Sequence, residues 1–259
     1  IYVVLICYKK ALTINPTETR AQANIAESLA ELQRPHEALS FIEMALSRNP
    51  NSKQLALNRA LTLLSLKKYK EGWHAYEARL SDEIDEAPKR LINIPRWTSQ
   101  SLTNKTILVC SEQGVGDELL FSAYLPKLAP LAKRIIVETD PRLVPLFSRS
   151  FENLEIHPYS RRVSGTRVIY DYHWLKQCRA YPDLFVEAAS LPYFLKETHK
   201  EPVAITPHLK DDINATKVWK NRLKKISNGK PLIGLFWRSS LYTNDRKHFY
   251  PTIDLWQPI

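Results

Sequence analysis

Apolar residues in the first third of the chain recur at helical spacing. Ala38, Ile42 and Ala45 fall on one face, and Tyr69, Trp73, Tyr76 and Leu80 do the same further on. A 34-residue offset lays one stretch over the next. Ala11-Leu12 falls on Ala45-Leu46, Asn15-Pro16 on Asn49-Pro50, Ala26 on Ala60, Leu29 on Leu63, and Glu37 on Glu71. Small Ala38 meets small Gly72, which lets paired helices approach closely. Pro16 and Pro50 fall in the turns between repeats, where a missing N–H does no harm. A period of 34 predicts an α-solenoid of helix–turn–helix units over residues 1–80, its first unit incomplete. Trp73 and Tyr76 read as repeat core.

The period changes after residue 100. Residues 81–104 hold two prolines and mixed charge without periodicity, which predicts a linker or a strap. Strands are expected at 106–110 (TILVC), 134–138 (RIIVE), 154–157 and 168–174. Helices are expected at 117–131 and at 141–150, the second opening on a proline. Strands alternating with helices argue for a parallel, helix-covered Rossmann-like sheet over 105–212. A helix near 215–227 and a buried-type strand at 231–237 (PLIGLFW) then predict the start of a second α/β unit over 213–259.

The stretch SEQGVGDELL, residues 111–120, contains two of the chain's six glycines. A dinucleotide loop is one reading of Gly114-Val115-Gly116, with Glu138 reaching a ribose hydroxyl. Leu119 occupies the third glycine position, however, and Asp117 and Glu118 stand where a pyrophosphate needs the positive end of a helix. Those carboxylates would repel it by several kcal/mol in a partly desolvated site, so this reading fails. Two others remain. Asp117 is an N-cap beside glycines that supply positive φ, or it is a carboxylate placed for chemistry. Glu112 and Gln113 are candidates to orient an acceptor. His173 reads as a core histidine, with a place in a cleft as the alternative. Lys217, Lys220, Lys224 and Lys225 read as a solvated helix face.

Composition narrows these choices. The net charge is +10, and half of the excess lies beyond residue 200, nearly all of it between Lys217 and Lys247. Trp219, Trp237 and Phe249 are too scattered for a nucleic-acid stripe, so no nucleic-acid partner is expected and an anionic small molecule fits better. Cys7, Cys110 and Cys178 show no paired spacing, which implies reduced thiols and a cytoplasmic location. The opening IYVVLICYKK is too short to span a bilayer, so no transmembrane segment is expected. The chain starts on Ile1 and stops after LWQPI, as a fragment would.

The 34-residue pattern resembles the tetratricopeptide repeat. EGWHAYEARL, PRW, ILVCSEQGVGDELLFSAYLPKLA, DYHWLKQC with LPYF, and PLIGLFWRSSLYTNDRKHF follow in that order. Together they resemble bacterial proteins that join such repeats to a heptosyltransferase-like glycosyltransferase domain. The resemblance covers nearly the whole chain and implies a GT-B fold, cut off within its second Rossmann domain. It implies inverting, metal-independent sugar transfer from a nucleotide-diphosphate donor to a glycan, lipid or protein acceptor. Asp117 would be the general base, with Gly114, Gly116 and His173 beside the substrate. Arg246 and Lys247, with Arg238, Ser239 and Ser240, would hold the donor phosphates. Arg238 stands where the repeat-bearing relatives have a small polar residue. No bound cofactor is implied beyond the donor itself, and the helical groove is a place for a protein partner. The fragment alone would be inactive, because most of the donor pocket would lie beyond Ile259. The alternative is a non-catalytic repeat scaffold with a degenerate glycosyltransferase domain.

Overall fold

Helices fill the first eighty residues of the computed structural model, which describes residues 2–85, 87–195, 207–236 and 250. Five run in succession: α1 (Tyr2–Ile14), α2 (Thr19–Glu31), α3 (Pro35–Arg48), α4 (Lys53–Ser65) and α5 (Tyr69–Tyr76). Each packs on the next in sequence. α4 begins and ends 34 residues after α2, as the sequence offset requires. The caps repeat as well: Glu18 and Ser52 accept backbone N–H groups at the two helix starts. Gln33 and Lys67 take left-handed φ values of 59° and 60° just past the two ends. Ala38, Ile42 and Ala45 are fully buried on α3, as their spacing predicts.

Gly72 shows why a small residue recurs. A Cβ built there would stand 2.8 Å from Leu64 Cδ2 and 3.2 Å from the Leu64 backbone nitrogen, so α5 lies almost directly on α4.

A four-stranded, all-parallel sheet follows, in the order β4-β3-β2-β7. It is built from β2 (Thr106–Cys110), β3 (Arg134–Thr139), β4 (Glu155–Pro158) and β7 (Leu184–Glu187). All five β2 residues are buried, which explains the unbroken apolar run. The chain leaves β2 towards β3 and β4 and later returns to β2's other side as β7. The ends of β2 and β7 therefore meet where the strand order reverses, where parallel sheets usually bind ligands. A smaller sheet joins β1 (Lys89–Leu91), β6 (Arg167–Asp171) and β5 (Ser160–Ser164), with β1–β6 parallel and β5–β6 antiparallel. The α/β class is as expected and is compatible with a Rossmann-like domain.

Several expectations change in detail. The helix expected over 117–131 breaks into α6 (Val115–Phe121), 3₁₀ turns and the short α7 (Leu125–Leu128), because Pro126 and Pro130 interrupt its hydrogen bonding. α8 (Val144–Ser150) starts beyond Pro141, with Pro145 in its first turn. The fourth expected strand ends at Asp171 and joins the smaller sheet. The strap carries β1 and buries Ile84, Ile94, Trp97 and Leu102. It also hydrogen-bonds along β7, with Trp97 N–H donating to Phe185 O and Phe185 N–H to Pro95 O.

The chain divides into two compact units, Ile1–Lys210 and Asp211–Ile259. The first also holds α9 (Leu191–Phe194). In the second, α10 (Ile213–Ser227) is capped by Asp212 and stopped by left-handed Asn228, and its four lysines at 217, 220, 224 and 225 are exposed. Residues 231–236 form no strand and are exposed, with Phe236 at 90%. A strand needs a hydrogen-bonding neighbour, and no described segment supplies one. No described helix is long and apolar enough to cross a membrane.

Gly72→Ala should lower stability by about 1–3 kcal/mol despite alanine's better helix propensity, because Leu64 must move. Urea unfolding measures it; an unchanged or raised midpoint would show that the α4–α5 contact yields freely.

Candidate functional site

Backbone at the end of β2 organises this region. Ser111 and Glu112 are buried, Gln113 turns the chain with φ of 60°, and Gly114 caps α6 in extended conformation. Neither Gly114 nor Gly116 has a positive φ, contrary to expectation: Gln113 makes the left-handed turn. That conformation costs a non-glycine residue about 1 kcal/mol. The Gln113 amide donates to the Tyr76 hydroxyl, which helps hold it. A Cβ on Gly116 would meet nothing within 4 Å, and one on Gly114 only the Asp117 carboxylate at 3.7 Å. Bare backbone therefore faces open space at the first turn of α6.

The two carboxylates that follow have separate jobs. Glu118 is buried, and its Oε2 accepts the Thr139 hydroxyl at 2.6 Å and the Asp140 N–H at 2.8 Å. It thereby ties α6 to the end of β3, and burial pushes its carboxyl above the usual range. Asp117 is half-buried. It stands two residues inside the helix rather than at the N-cap, and its Oδ2 accepts the Gly114 N–H at 3.2 Å. That is its one described hydrogen bond, and Asp117, like Gly114 and Gly116, is not among the residues that line the cavity beside Gln113.

Glu112 lies beneath, held by the helical layer. Arg79, just past α5, grips it twice, Nε to Oε1 at 3.0 Å and an Nη to Oε2 at 2.7 Å. The Ala189 N–H adds a bond to Oε2 at 3.0 Å. Arg79 also donates to the Ser190 hydroxyl at 2.8 Å and to Glu77 at 3.1 Å. Arg96 from the strap joins Glu77 and Glu187, each at 2.6 Å. Two arginines and three carboxylates thus bridge the helices, the strap and the ends of β2 and β7. The neighbouring carboxylates outweigh burial and hold the Arg79 guanidinium firmly protonated.

A second buried arginine lies nearby. Arg90 on β1 donates to Ser111 O and to the Tyr172 hydroxyl, and its guanidinium sits 4.5 Å over the Tyr170 ring. It approaches Glu138 Oε2 at 3.5 Å, a long contact. The Ser111 hydroxyl reaches Glu138 Oε1 at 3.3 Å. Burial with such weak partners pushes Glu138 up to about 7, and it leaves no reach to a ribose.

Above these ion pairs opens a cavity of about 400 Å³. Leu57, Leu61 and Tyr76 form its helical wall, and Glu112, Gln113 and Tyr170 line its sheet side. Arg161 on β5 also lines it. This arginine is exposed, stacks on Tyr159 at 4.3 Å, and gives the cavity a solvent-facing cation. Glu112 and Gln113 therefore lie where expected, but both Glu112 oxygens are already bonded. His173 is 88% exposed, pairs with Asp171 at 3.6 Å, and is absent from the cavity lining. It is not a core histidine, because β6 ends two residues earlier and leaves it in a surface turn. Arg238, Ser239, Ser240, Arg246 and Lys247 lie outside the described residues. Arg79, Tyr76 and Arg161 were not anticipated. Tyr76 looked like repeat core, and SRRVS has no apolar face to announce a strand.

No protein-family model matches the chain. It is similar to Protein FlbA of Caulobacter vibrioides (strain ATCC 19089 / CIP 103742 / CB 15), 28% identical over 265 aligned positions. The match takes in 98% of this chain and 44% of that protein, so the chain spans less than half of its relative's length.

Arg79→Met should lower stability by about 3–5 kcal/mol, because it leaves Glu112 charged and buried. The Arg79→Met, Glu112→Leu pair should recover a large part of that in urea melts. An equal loss in single and double variants would disprove the coupling. Glu138 binds its proton more tightly folded than unfolded, so its contribution is fully present below about pH 4.5 and is lost as pH rises from there through about 7. Glu138→Gln should remove up to about 3 kcal/mol of pH dependence between pH 5 and 8. A melting profile as steep as wild type would count against this assignment.

Proposed function

We propose that the chain is the repeat-bearing, acceptor-side part of a glycosyltransferase. On this reading α1–α5 are tetratricopeptide repeats, and the sheet is the first Rossmann-like domain of a GT-B enzyme. The donor is a nucleotide-diphosphate sugar, and the acceptor is a glycan, lipid or protein hydroxyl. Asp117 takes the proton of that hydroxyl as it attacks the anomeric carbon. The basic segment containing Arg246 and Lys247 neutralises the departing diphosphate.

One observation carries this reading. Gly116 satisfies no conformational or packing demand, and with the N-cap Gly114 it bares the backbone just ahead of a carboxylate with one described hydrogen bond, beyond the end of β2. Glycine in a helix costs roughly 0.5–1 kcal/mol against alanine, so close approach by a ligand is a reason to keep it. An inverting transfer needs a carboxylate within hydrogen-bond reach of the attacking hydroxyl. Arg161 at the cavity rim supplies a cation for an acidic or phosphorylated acceptor.

A second reading, a non-catalytic scaffold, is favoured by a different observation. Where the strand order reverses, the space beyond β2 and β7 is taken by Arg79 and Ser190 rather than left for a ligand. A groove of about 270 Å³ between α2, α3 and α4, lined in part by Ala26, Ile42 and Leu61, would then serve a protein partner.

Asp117→Asn keeps an oxygen for the Gly114 N–H, so the protein at its natural length should melt as wild type. Turnover of nucleotide-diphosphate sugars should fall at least about 100-fold. Gly116→Ala should leave stability equal or up to about 1 kcal/mol higher while impairing turnover. Undiminished transfer by Asp117→Asn refutes the base. Absence of any saturable binding of a nucleotide-diphosphate sugar panel leaves the scaffold.

A further inference from the structure

Away from that cavity, at the edge strand β4, Glu155, His157 and Cys178 converge. Glu155 and His157 are alternate residues on the strand and so share a face. Cys178 closes the 3₁₀ turn after β6. Glu155 Oε1 lies 3.0 Å from His157 Nε2, and Cys178 Sγ lies 3.5 Å from the same nitrogen. All three donor atoms fall within 4.8 Å of one another.

A catalytic triad does not explain this. Such a triad needs the carboxylate on one ring nitrogen and the nucleophile on the other. Here both face Nε2. With Nε2–H donating to the carboxylate, the thiol is left to turn towards Glu155 as well, so oxygen, nitrogen and sulfur crowd one point. The same crowding suits three groups that direct lone pairs at one electrophile. We infer that Glu155, His157 and Cys178 bind a single zinc-class divalent cation, with water at the fourth position.

The geometry and the ligand types agree with this. Oxygen, nitrogen and sulfur ligands at about 2.0–2.3 Å around tetrahedral zinc stand about 3.3–3.8 Å apart, within a few tenths of an ångström of the 3.0 and 3.5 Å that separate His157 Nε2 from the other two donors. Thiolate and imidazole exclude magnesium and calcium, which demand oxygen shells. The ring of His157 is stacked on Trp174, centroids 4.9 Å apart and planes 23° apart, which fixes its aim. Outer groups hold the carboxylate: the Arg179 N–H donates to Oε1 at 3.2 Å, and the Arg134 guanidinium stands 3.9 Å from Oε2. Oε2 is buried without a hydrogen bond and is available if the carboxylate rotates. All three residues are half-buried, so the cation has a path in. On binding, the Cys178 S–H bond breaks, its proton leaves to solvent, and the sulfur–metal bond forms; nothing is oxidised or reduced. Thiolate and carboxylate together balance the +2 charge.

Untagged protein, stripped with chelator and dialysed against micromolar zinc chloride, should retain one zinc per chain by elemental analysis. It should also melt several degrees higher than the stripped form, while magnesium should do neither. Cobalt(II) chloride should produce a thiolate-to-metal charge-transfer band. Cys178→Ser should abolish that band, His157→Gln should weaken zinc at least tenfold, and Cys7→Ser should leave both unchanged. Wild-type protein that retains no zinc and shows no band overturns the site, whatever the variants do. A band that survives Cys178→Ser, or disappears with Cys7→Ser, overturns it equally.

Discussion

The guanidinium of Arg79, buried between Glu112, Glu77 and Ser190, holds the helical layer to the sheet. Removing an ion from water costs several kcal/mol, and the cost is recovered only when every polar atom finds a partner. Arg79 meets that condition through residues drawn from α5's exit, the end of β2 and the turn after β7. Arg96 extends the same cluster to Glu187 on β7. Neither segment could slide by a turn without stranding a charge, so the cluster fixes a single docking of helices on strands. Hydrophobic contact alone, such as Trp73 edge-on to Phe121 at 6.0 Å, would tolerate more slip.

The cavity is a consequence of that docking. Its walls are half helical and half sheet, so its shape exists only while the cluster is intact. The same cluster sets the start of the 111–114 loop, since Glu112 is immobilised one residue before left-handed Gln113. Tyr76, one turn before Arg79, receives the Gln113 amide. The first turn of α6, which carries Asp117, is thus braced from the helices on one side and by Glu118, bonded to the end of β3, on the other. A carboxylate meant to meet a substrate needs such bracing, because positioning errors of an ångström cost catalysis heavily.

Parts of this arrangement were legible in the sequence because they depend on local order. The 34-residue period appears in composition since each helix buries its face against its neighbours in sequence. β2 and β3 announce themselves as apolar runs, being buried along nearly their whole length. β1 (KRL) and β5 (SRRVS) do not, because their side chains are largely exposed. β7 went unnoticed for a different reason, four residues being too few to show a period. Residues 231–236 are apolar yet form no strand, since apolarity alone cannot supply a partner strand. The glycine pair and Asp117 could be singled out, whereas Arg79 could not. It meets Glu112 across 33 residues, and no pattern in EGWHAYEARL distinguishes a buried arginine from a solvated one.

The glycines at 72 and 116 make the general point. One is required by Leu64, which leaves no room for a Cβ; the other has open space around it. Packing therefore explains the first and is silent on the second. Electrostatics then restricts what could fill that space. Asp117 and Glu118 lie in the first turn of α6, with Glu112 just before it, so a diphosphate would meet negative charge where it needs the helix's positive end. A neutral hydroxyl would not suffer that repulsion and would gain an acceptor for its proton. On the proposed reading, the end of β2 therefore suits the alcohol and not the phosphates.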